Sequence, residues 1–206
     1  MHNITRHLLT FTLLFSLATM SVSALADNPK VKMDTDKGTV IIELYPDKAP
    51  DTVKNFLRYV EAGKYDGTLF HRVIKGFMNQ GGGFDREYKK VDTFSPIINE
   101  ADNGLKNTRG TIAMARTNDP NSATNQFFIN TVDNHMLNHT NKSVRGWGYC
   151  VFGKVVEGMD VMDRISQVKT GAAGPFPSDV PAEPLAIQKV TLIQAEADDG
   201  KATSKE

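Results

Sequence analysis

The strongest constraint on the fold of this chain is the repetition of short β-type runs between turns rich in glycine and asparagine. These runs occur at 31–35, 39–44, 68–74, 76–80, 111–115, 126–130, 149–156 and 187–193. The first two flank the short turn Asp36-Lys37-Gly38, which is a pattern typical of a β-hairpin. Many short strands with few helices predict a mainly β domain, in which a closed antiparallel barrel is capped by helices.

Two segments have the periodicity of amphipathic helices. After Pro50, apolar residues recur at i, i+3, i+4 and i+7, at Val53, Phe56, Leu57 and Val60. Pro50 suits a first helical turn, and Gly63 stands where a helix would end. A second apolar stripe predicts a helix over about 160–168. No internal repeat or second-domain linker interrupts the chain.

The first 26 residues have the pattern of a secretory signal peptide. Arg6 is the only formal charge before Asp27, an apolar run follows at 8–18, and the small-residue exit Ala24-Leu25-Ala26 comes last. The alternative is a membrane anchor, but the run is shorter than the roughly 20 residues of a spanning helix. We therefore predict cleavage after Ala26, a domain over 27–194 and a disordered polar tail over 195–206.

Charge and cysteine content narrow the function classes. Without Arg6 the predicted mature chain has 23 basic and 24 acidic residues, so nothing in its net charge favours nucleic acid or an anionic membrane surface. We expect neither nucleic acid nor, after signal cleavage, a membrane as a partner. Cys150 is the only cysteine and lies in an apolar run, where a small buried hydrophobe is expected.

Two segments carry polar and glycine residues that periodicity does not explain. The first, residues 70–83, reads FHRVIKGFMNQGGG, and the second contains GTIAMAR at 110–116 and SATNQFFI at 122–129. If the first begins with a strand, Arg72 lies on one face and His71 on the other. A phosphate loop is poorly supported, because no Gly-Lys-Ser/Thr follows the glycines.

These segments resemble the signature of the cyclophilin-type peptidyl-prolyl cis/trans isomerases, and the similarity extends from about Val31 to Ile193. Bacterial members are the most similar, particularly at 99–105, 107–110 and 152–156. The resemblance implies an eight-stranded antiparallel β-barrel closed by two α-helices, and an enzyme that acts on proline-containing polypeptides without a cofactor. Combined with the signal peptide, it implies a periplasmic isomerase that assists the folding of exported proteins.

The resemblance also implies roles for individual residues. Arg72 matches the catalytic arginine, and His71 beside it is supporting. The proline pocket is matched by Phe77, Met78, Phe128 and Leu137. Gln80 and Gln126 match side chains that hold the substrate backbone, and Ala115, Arg116 and Thr117 match the segment beside an extended peptide.

Two further substrate-site positions depart from the eukaryotic pattern of the family. Met136 stands where cyclosporin-sensitive members have tryptophan, and Tyr149 stands where they have histidine. Losing the indole removes a hydrogen-bond donor and a rigid flat surface. We therefore expect weak or no cyclosporin binding with isomerase activity retained; a nanomolar dissociation constant in a direct titration would contradict this. The insertion-like stretch 139–148 has no assigned role.

The sequence leaves other functions open. A binding module or holdase could recognise proline-containing segments without turnover. His135 and His139 stand at i, i+4, but their segment has no convincing helix pattern, so we expect no metal. No Gly-x-Ser-x-Gly elbow is present for a serine hydrolase. We expect a monomer.

Overall fold

A computed structural model of the chain describes residues 28–193. It contains ten strands: β1 Lys30–Thr35, β2 Gly38–Leu44, β3 Arg72–Ile74, β4 Met78–Gly81, β5 Thr111–Met114, β6 Phe127–Asn130, β7 Val151–Glu157, β8 Thr170–Ala173, β9 Phe176–Pro181 and β10 Ile187–Ile193. The helices are α1 Pro50–Glu61 and α2 Met159–Ser166, with a single 3₁₀ turn at His135–Leu137. The predicted signal peptide and tail lie outside the described residues.

Eight strands form one antiparallel sheet in the order β10-β1-β2-β7-β5-β6-β4-β3. The predicted first hairpin is confirmed, with Thr35 opposite Gly38 and Met33 opposite Val40. Val31, Met33, Val40 and Ile42 are fully buried while their neighbours are more exposed, as expected of strands with one face on a core. The mainly β class, the eight-stranded sheet and the two helices are therefore confirmed.

The sheet does not close by a continuous strand ladder, which corrects the expectation of a fully closed barrel. Its edges, β3 and β10, are joined by a seam just before each strand begins. At this seam Leu69 forms an isolated bridge with Ala186. The Ile187 amide donates to the Thr68 carbonyl at 2.7 Å, and the Phe70 amide donates to the Leu185 carbonyl at 2.9 Å.

Helix α1 covers one end of the sheet and packs its apolar side into the core. Phe56 lies against the rings of Tyr65, Phe127 and Phe152, with centroid distances of 5.0, 5.8 and 5.2 Å. The first turn of α1 has no cap of its own, because Ala49 precedes it. Glu100 supplies the missing acceptor, since its carboxylate receives the Asp51 and Thr52 amides at 3.2 and 2.8 Å.

A second, two-stranded sheet of β8 and β9 was not predicted from the sequence. This hairpin lies beside β3 and contacts it. Its Phe176 ring packs edge-on against Phe84 at 4.9 Å and lies 5.5 Å from the His71 ring. Among residues 28–193, the structure contains no helix with the length and apolar character needed to cross a membrane.

Candidate active site

One cross-strand row of side chains on the outer face of the sheet organises the site. Arg72 on β3 pairs with Gln80 on β4, Gln80 pairs with Phe128 on β6, and Phe128 pairs with Ala113 on β5. Directly paired residues project from the same face, and neighbouring strands lie about 4.8 Å apart. Arg72 therefore shares a face with Phe128, whereas its neighbours His71 and Val73 are buried on the other.

An apolar cluster, here called the notch, lies beside this row and is separate from the core. Met78, Ala113, Phe128 and Val151 form its buried base. The partly exposed side chains that pack on this base include Phe77, Leu137, Tyr149 and Ala115. The Phe128 and Tyr149 rings meet edge to face at 5.6 Å. The four residues expected to form the proline pocket are thus together in the structure.

The alternation of β6 explains how one short strand can serve both the core and the notch. Phe127 and Ile129 point into the main core, while Phe128 between them belongs to the notch. Opposite Phe128 stands Ala113, whose small side chain leaves space above the sheet. The sequence alone did not single out Ala113, although its alternation with Ala115 is the signal that could have done so.

A polar groove of about 300 Å³ continues from the notch. It is lined by five further predicted contact residues: Gln80, Ala115, Arg116, Thr117 and Gln126. The Gln80 side-chain amide donates to the Gln126 side-chain oxygen Oε1 at 2.9 Å, which holds the two side chains together. Ala115 belongs to both the groove and the notch, so a single extended ligand could contact both.

Arg116 forms hydrogen bonds that stabilise the wall of the groove. Its Nε donates to the Gly148 carbonyl at 2.9 Å, and one terminal nitrogen donates to the Thr117 carbonyl at 2.9 Å. The guanidinium also lies 4.9 Å above the Tyr149 ring. Arg116 therefore joins the groove segment to the end of the 139–148 stretch, and its donors are largely occupied by the protein itself.

Arg72 is half exposed, with 44% of its side chain open to solvent, and its Nε lies 3.9 Å from the Asp179 carboxylate on β9. Asp179 has a φ of +65°, an unusual conformation that aspartate tolerates better than most residues. Sequence reasoning missed this neighbour because the β8–β9 hairpin was not predicted.

His71 is buried next to Arg72 and packs 4.7 Å from the Phe84 ring. Burial lowers the pKa of His71 to about 4, and the nearby Arg72 charge acts in the same direction. Its Nδ1 has no hydrogen-bond partner within the described part of the chain. His71 is therefore neutral at pH 7 and contributes to the packing around Arg72.

Two side chains named from the sequence lie apart from this arrangement. Met136 is in the 3₁₀ turn, but its side chain is 76% exposed and does not join the notch. Cys150 is buried, and burial raises its pKa to about 12, so it has none of the thiolate character of a nucleophile. No group of three metal-ligating side chains occurs in residues 28–193.

The family model for cyclophilin type peptidyl-prolyl cis-trans isomerase matches residues 30–192, which is most of the chain. The chain is a cyclophilin. It belongs to the peptidyl-prolyl cis-trans isomerases.

This cyclophilin is 57% identical over 164 residues to peptidyl-prolyl cis-trans isomerase B of Escherichia coli K12, covering 80% of this chain and 99% of the relative. It is 53% identical over 164 residues to isomerase A of Dickeya dadantii, covering 80% and 84%. Among solved structures, a Cryptosporidium parvum cyclophilin aligns with a TM-score of 0.62 and 28% identity, over 82% of this chain and 99% of that one. The predicted family is confirmed.

Proposed function

We propose that this isomerase acts on exported proteins folding in a bacterial periplasm, with Arg72 as its catalytic residue and the notch as its proline pocket. The observation that carries the proposal is the shared outer face of Arg72, Gln80 and Phe128, with the apolar notch beside them. A cation next to an apolar pocket is an arrangement that suits prolyl isomerisation.

The reaction has a high barrier but needs no bond to be made or broken. Rotation about an amide C–N bond is opposed by about 18–20 kcal/mol, because the nitrogen lone pair is delocalised into the carbonyl. Before proline, the two isomers differ by only about 1 kcal/mol, yet they interconvert over roughly 10–100 s. A catalyst must therefore favour the twisted state, in which the lone pair is localised on nitrogen. This chemistry requires no cofactor.

A guanidinium suits that task because it remains charged and offers several donors in a fixed plane. Arg72 would donate to the localised lone pair or to the adjacent carbonyl without transferring a proton. The notch would hold the proline ring and exclude water, which strengthens the field of the guanidinium. Gln80 and Gln126 would hold the backbone before the proline while the bond turns.

The required free energy can be apportioned between these parts. Acceleration to milliseconds is about 10⁴-fold, which corresponds to about 5.5 kcal/mol of transition-state stabilisation. One preorganised donor set supplies about 3–4 kcal/mol. Positioning of the peptide by the notch and groove would supply the remainder.

Replacement of Arg72 tests the mechanism. We expect Arg72→Ala to lower kcat/KM for a proline peptide about 10²–10³-fold, and Arg72→Lys to recover only part because lysine lacks the planar fork. Arg164→Ala is the matched control, since Arg164 is also half exposed but pairs with Asp160 on α2. Unchanged turnover in Arg72→Ala would remove Arg72 from the mechanism. Binding of the peptide by an inactive wild type would favour the holdase.

The location and partners form the second part of the proposal. Cleavage after Ala26 would release the chain into the periplasm as a monomer, and Met136 and Tyr149 would leave cyclosporin binding weak. Cell fractionation with N-terminal sequencing tests the location, for which Asp27 is the expected first residue. Retention of residues 1–26 on a membrane-bound product would instead support the anchor.

A further inference from the structure

Four asparagines form a continuous hydrogen-bonded chain, here called the asparagine network: Asn107, Asn130, Asn134 and Asn138. The Asn134 amide donates to the Asn130 side-chain oxygen at 2.7 Å, and the Asn130 amide donates to the Asn107 side-chain oxygen at 3.2 Å. The Asn107 backbone amide then donates to the Asn138 side-chain oxygen at 2.7 Å. The first three residues are at most 1% exposed.

The side-chain amides of Asn107 and Asn134 also donate to backbone carbonyls of notch residues. Asn134 donates to the Phe77 carbonyl at 2.9 Å. Asn107 donates to the Leu137 carbonyl at 3.1 Å and to the Tyr149 carbonyl at 3.2 Å. Three notch residues from three separate segments are thus held by two side chains.

The network lies on the same side of the sheet as the notch. Asn130 pairs with Met78, whose side chain is part of the notch base, and it follows Phe128 by two positions on β6. Its amide also donates to the Thr111 hydroxyl at 2.9 Å, which anchors the network to β5. Asn79 is equally buried but projects from the opposite face, where it donates to the Met162 carbonyl of α2 at 2.9 Å.

We propose that the asparagine network is the positioning device of the proline pocket, so that Asn107 and Asn134 are positioning residues for the isomerase. This inference rests on the proposed function of the notch. Phe77, Leu137 and Tyr149 lie on a strand margin, a 3₁₀ turn and a connecting segment, outside any shared strand ladder. Leu137 and Tyr149 are joined directly, because the Tyr149 amide donates to the Leu137 carbonyl at 2.9 Å, and the network links this pair to Phe77. Buried amides with satisfied donors and acceptors impose one geometry on such segments.

The test compares Asn134→Ala with the matched control Asn79→Ala. Each removes a buried asparagine that donates to one backbone carbonyl, so both should lower the melting temperature. Only Asn134→Ala should raise KM for a proline peptide, by about tenfold, with a smaller change in kcat, because the pocket that grips the ring is displaced. The NMR methyl signals of Leu137 should shift in Asn134→Ala and remain in place in Asn79→Ala.

A second pair of variants tests the network without a substitution at a fully buried position. Asn138 is only half-buried, and its side-chain oxygen accepts from Asn107. Asn138→Ala should raise KM, whereas Asn138→Asp keeps the acceptor and should restore most of the affinity. If Asn134→Ala does not fold, this pair decides the question.

The outcomes separate this inference from the proposed function. An active wild type with equal losses of kcat/KM in Asn134→Ala and Asn79→Ala, or no loss in Asn134→Ala, would overturn the positioning role alone. An inactive wild type would overturn the proposed function. The Leu137 signals and the dissociation constant of the peptide would then still show whether the network shapes the notch.

Discussion

At the scale of single residues, the surroundings of Gly83 show why a glycine is needed beside the groove. A Cβ added to Gly83 would lie 2.5 Å from Cγ of Gln126, which is closer than real Cβ atoms approach other heavy atoms. Gln126 in turn accepts the hydrogen bond of Gln80. The absence of a side chain at position 83 therefore allows Gln126 to occupy its place next to Gln80.

We predict that Gly83→Ala displaces Gln126 and lowers kcat/KM about tenfold, because the substrate backbone loses one of its two glutamine contacts. Steady-state kinetics with a proline peptide measure the effect. Gly171→Ala is the control, since no heavy atom lies within 4 Å of the Cβ it would add. Equal kinetics in the two variants would mean that Gln126 does not contribute to turnover.

His71 gives the folded protein a sensitivity to acid. Its pKa is about 4 in the folded chain, against 6.5 for an unperturbed histidine. Above pH 6.5 both states are neutral and the full stability is present. Between pH 6.5 and 4 the unfolded chain binds a proton that the folded chain does not, so the free energy of unfolding falls as the pH is lowered, by at most about 3 kcal/mol.

Urea unfolding at pH 7.5 and pH 4.5 checks this prediction. The wild type should lose more stability between these values than His71→Gln, which has no titrating group at this position. Asp34, Asp102 and Asp163, whose pKa values are lowered chiefly by their side-chain hydrogen bonds, add an acid loss that is common to both proteins. Parallel losses would show that His71 is not held neutral in the folded state.

The site residues that the sequence predicts differ from those it does not predict in what brings them together. Arg72, Gln80 and Phe128 belong to one contiguous pattern, so their shared face follows from strand alternation. Asp179 reaches Arg72 from about 100 positions further along the chain, and only tertiary packing brings them together. Apart from Asn130 at the end of β6, the network asparagines lie in loops, where asparagine is common for local reasons, and their sequence does not reveal that two of these three are buried.

At the scale of elements, α1 shows how a helix can be predicted while its stabilising contact is not. Pro50 and the apolar stripe locate the helix correctly, but its capping group is Glu100, about 50 residues away in the chain. The Glu100 carboxylate accepts from two amides of the first turn and from the Thr52 hydroxyl at 2.7 Å. A negative group at this end also complements the helix dipole.

Removing that cap should destabilise the whole domain. We expect Glu100→Ala to lower the free energy of unfolding by about 1–3 kcal/mol, because the part-buried Thr52 amide and hydroxyl and the exposed Asp51 amide lose their acceptor. Urea denaturation measures the change. Glu157→Ala at the exposed end of β7 is the control and should remain close to wild type. A similar midpoint for both variants would contradict a capping role for Glu100.

The β8–β9 hairpin is not predicted from the sequence, because its strands have no clear alternation of apolar and polar residues. β8 is mostly exposed and β9 is buried only at its end, both contain glycine or proline, and they pair over only a few positions. Their place in the fold comes instead from Phe176, which packs with Phe84 and His71 beside the candidate active site. A single aromatic anchor of this kind leaves no periodic signal in a sequence.

At the scale of the whole molecule, the number and direction of the sheet strands were predictable but the manner of closure was not. Short alternating runs predict strands, and their compact spacing predicts antiparallel neighbours. The seam at Thr68–Phe70 and Leu185–Ile187 uses the segment just before β3 and the segment that leads into the first residue of β10. Its geometry depends on how far the assembled sheet curls, which is a property of all eight strands together.

Hydrogen exchange can show whether this seam holds the barrel shut. Leu69, Phe70, Ala186 and Ile187 are at most 1% exposed, so opening the seam would expose core side chains to water. We therefore predict that the Phe70 and Ile187 amides exchange only through global unfolding, with protection equal to that of the Met33 amide in β1. Amides of the mostly exposed strand β8 in the β8–β9 hairpin should exchange much faster. If Phe70 and Ile187 exchanged at the hairpin rate, β3 and β10 would behave as free edges, and the face that carries Arg72 would move independently of the first hairpin.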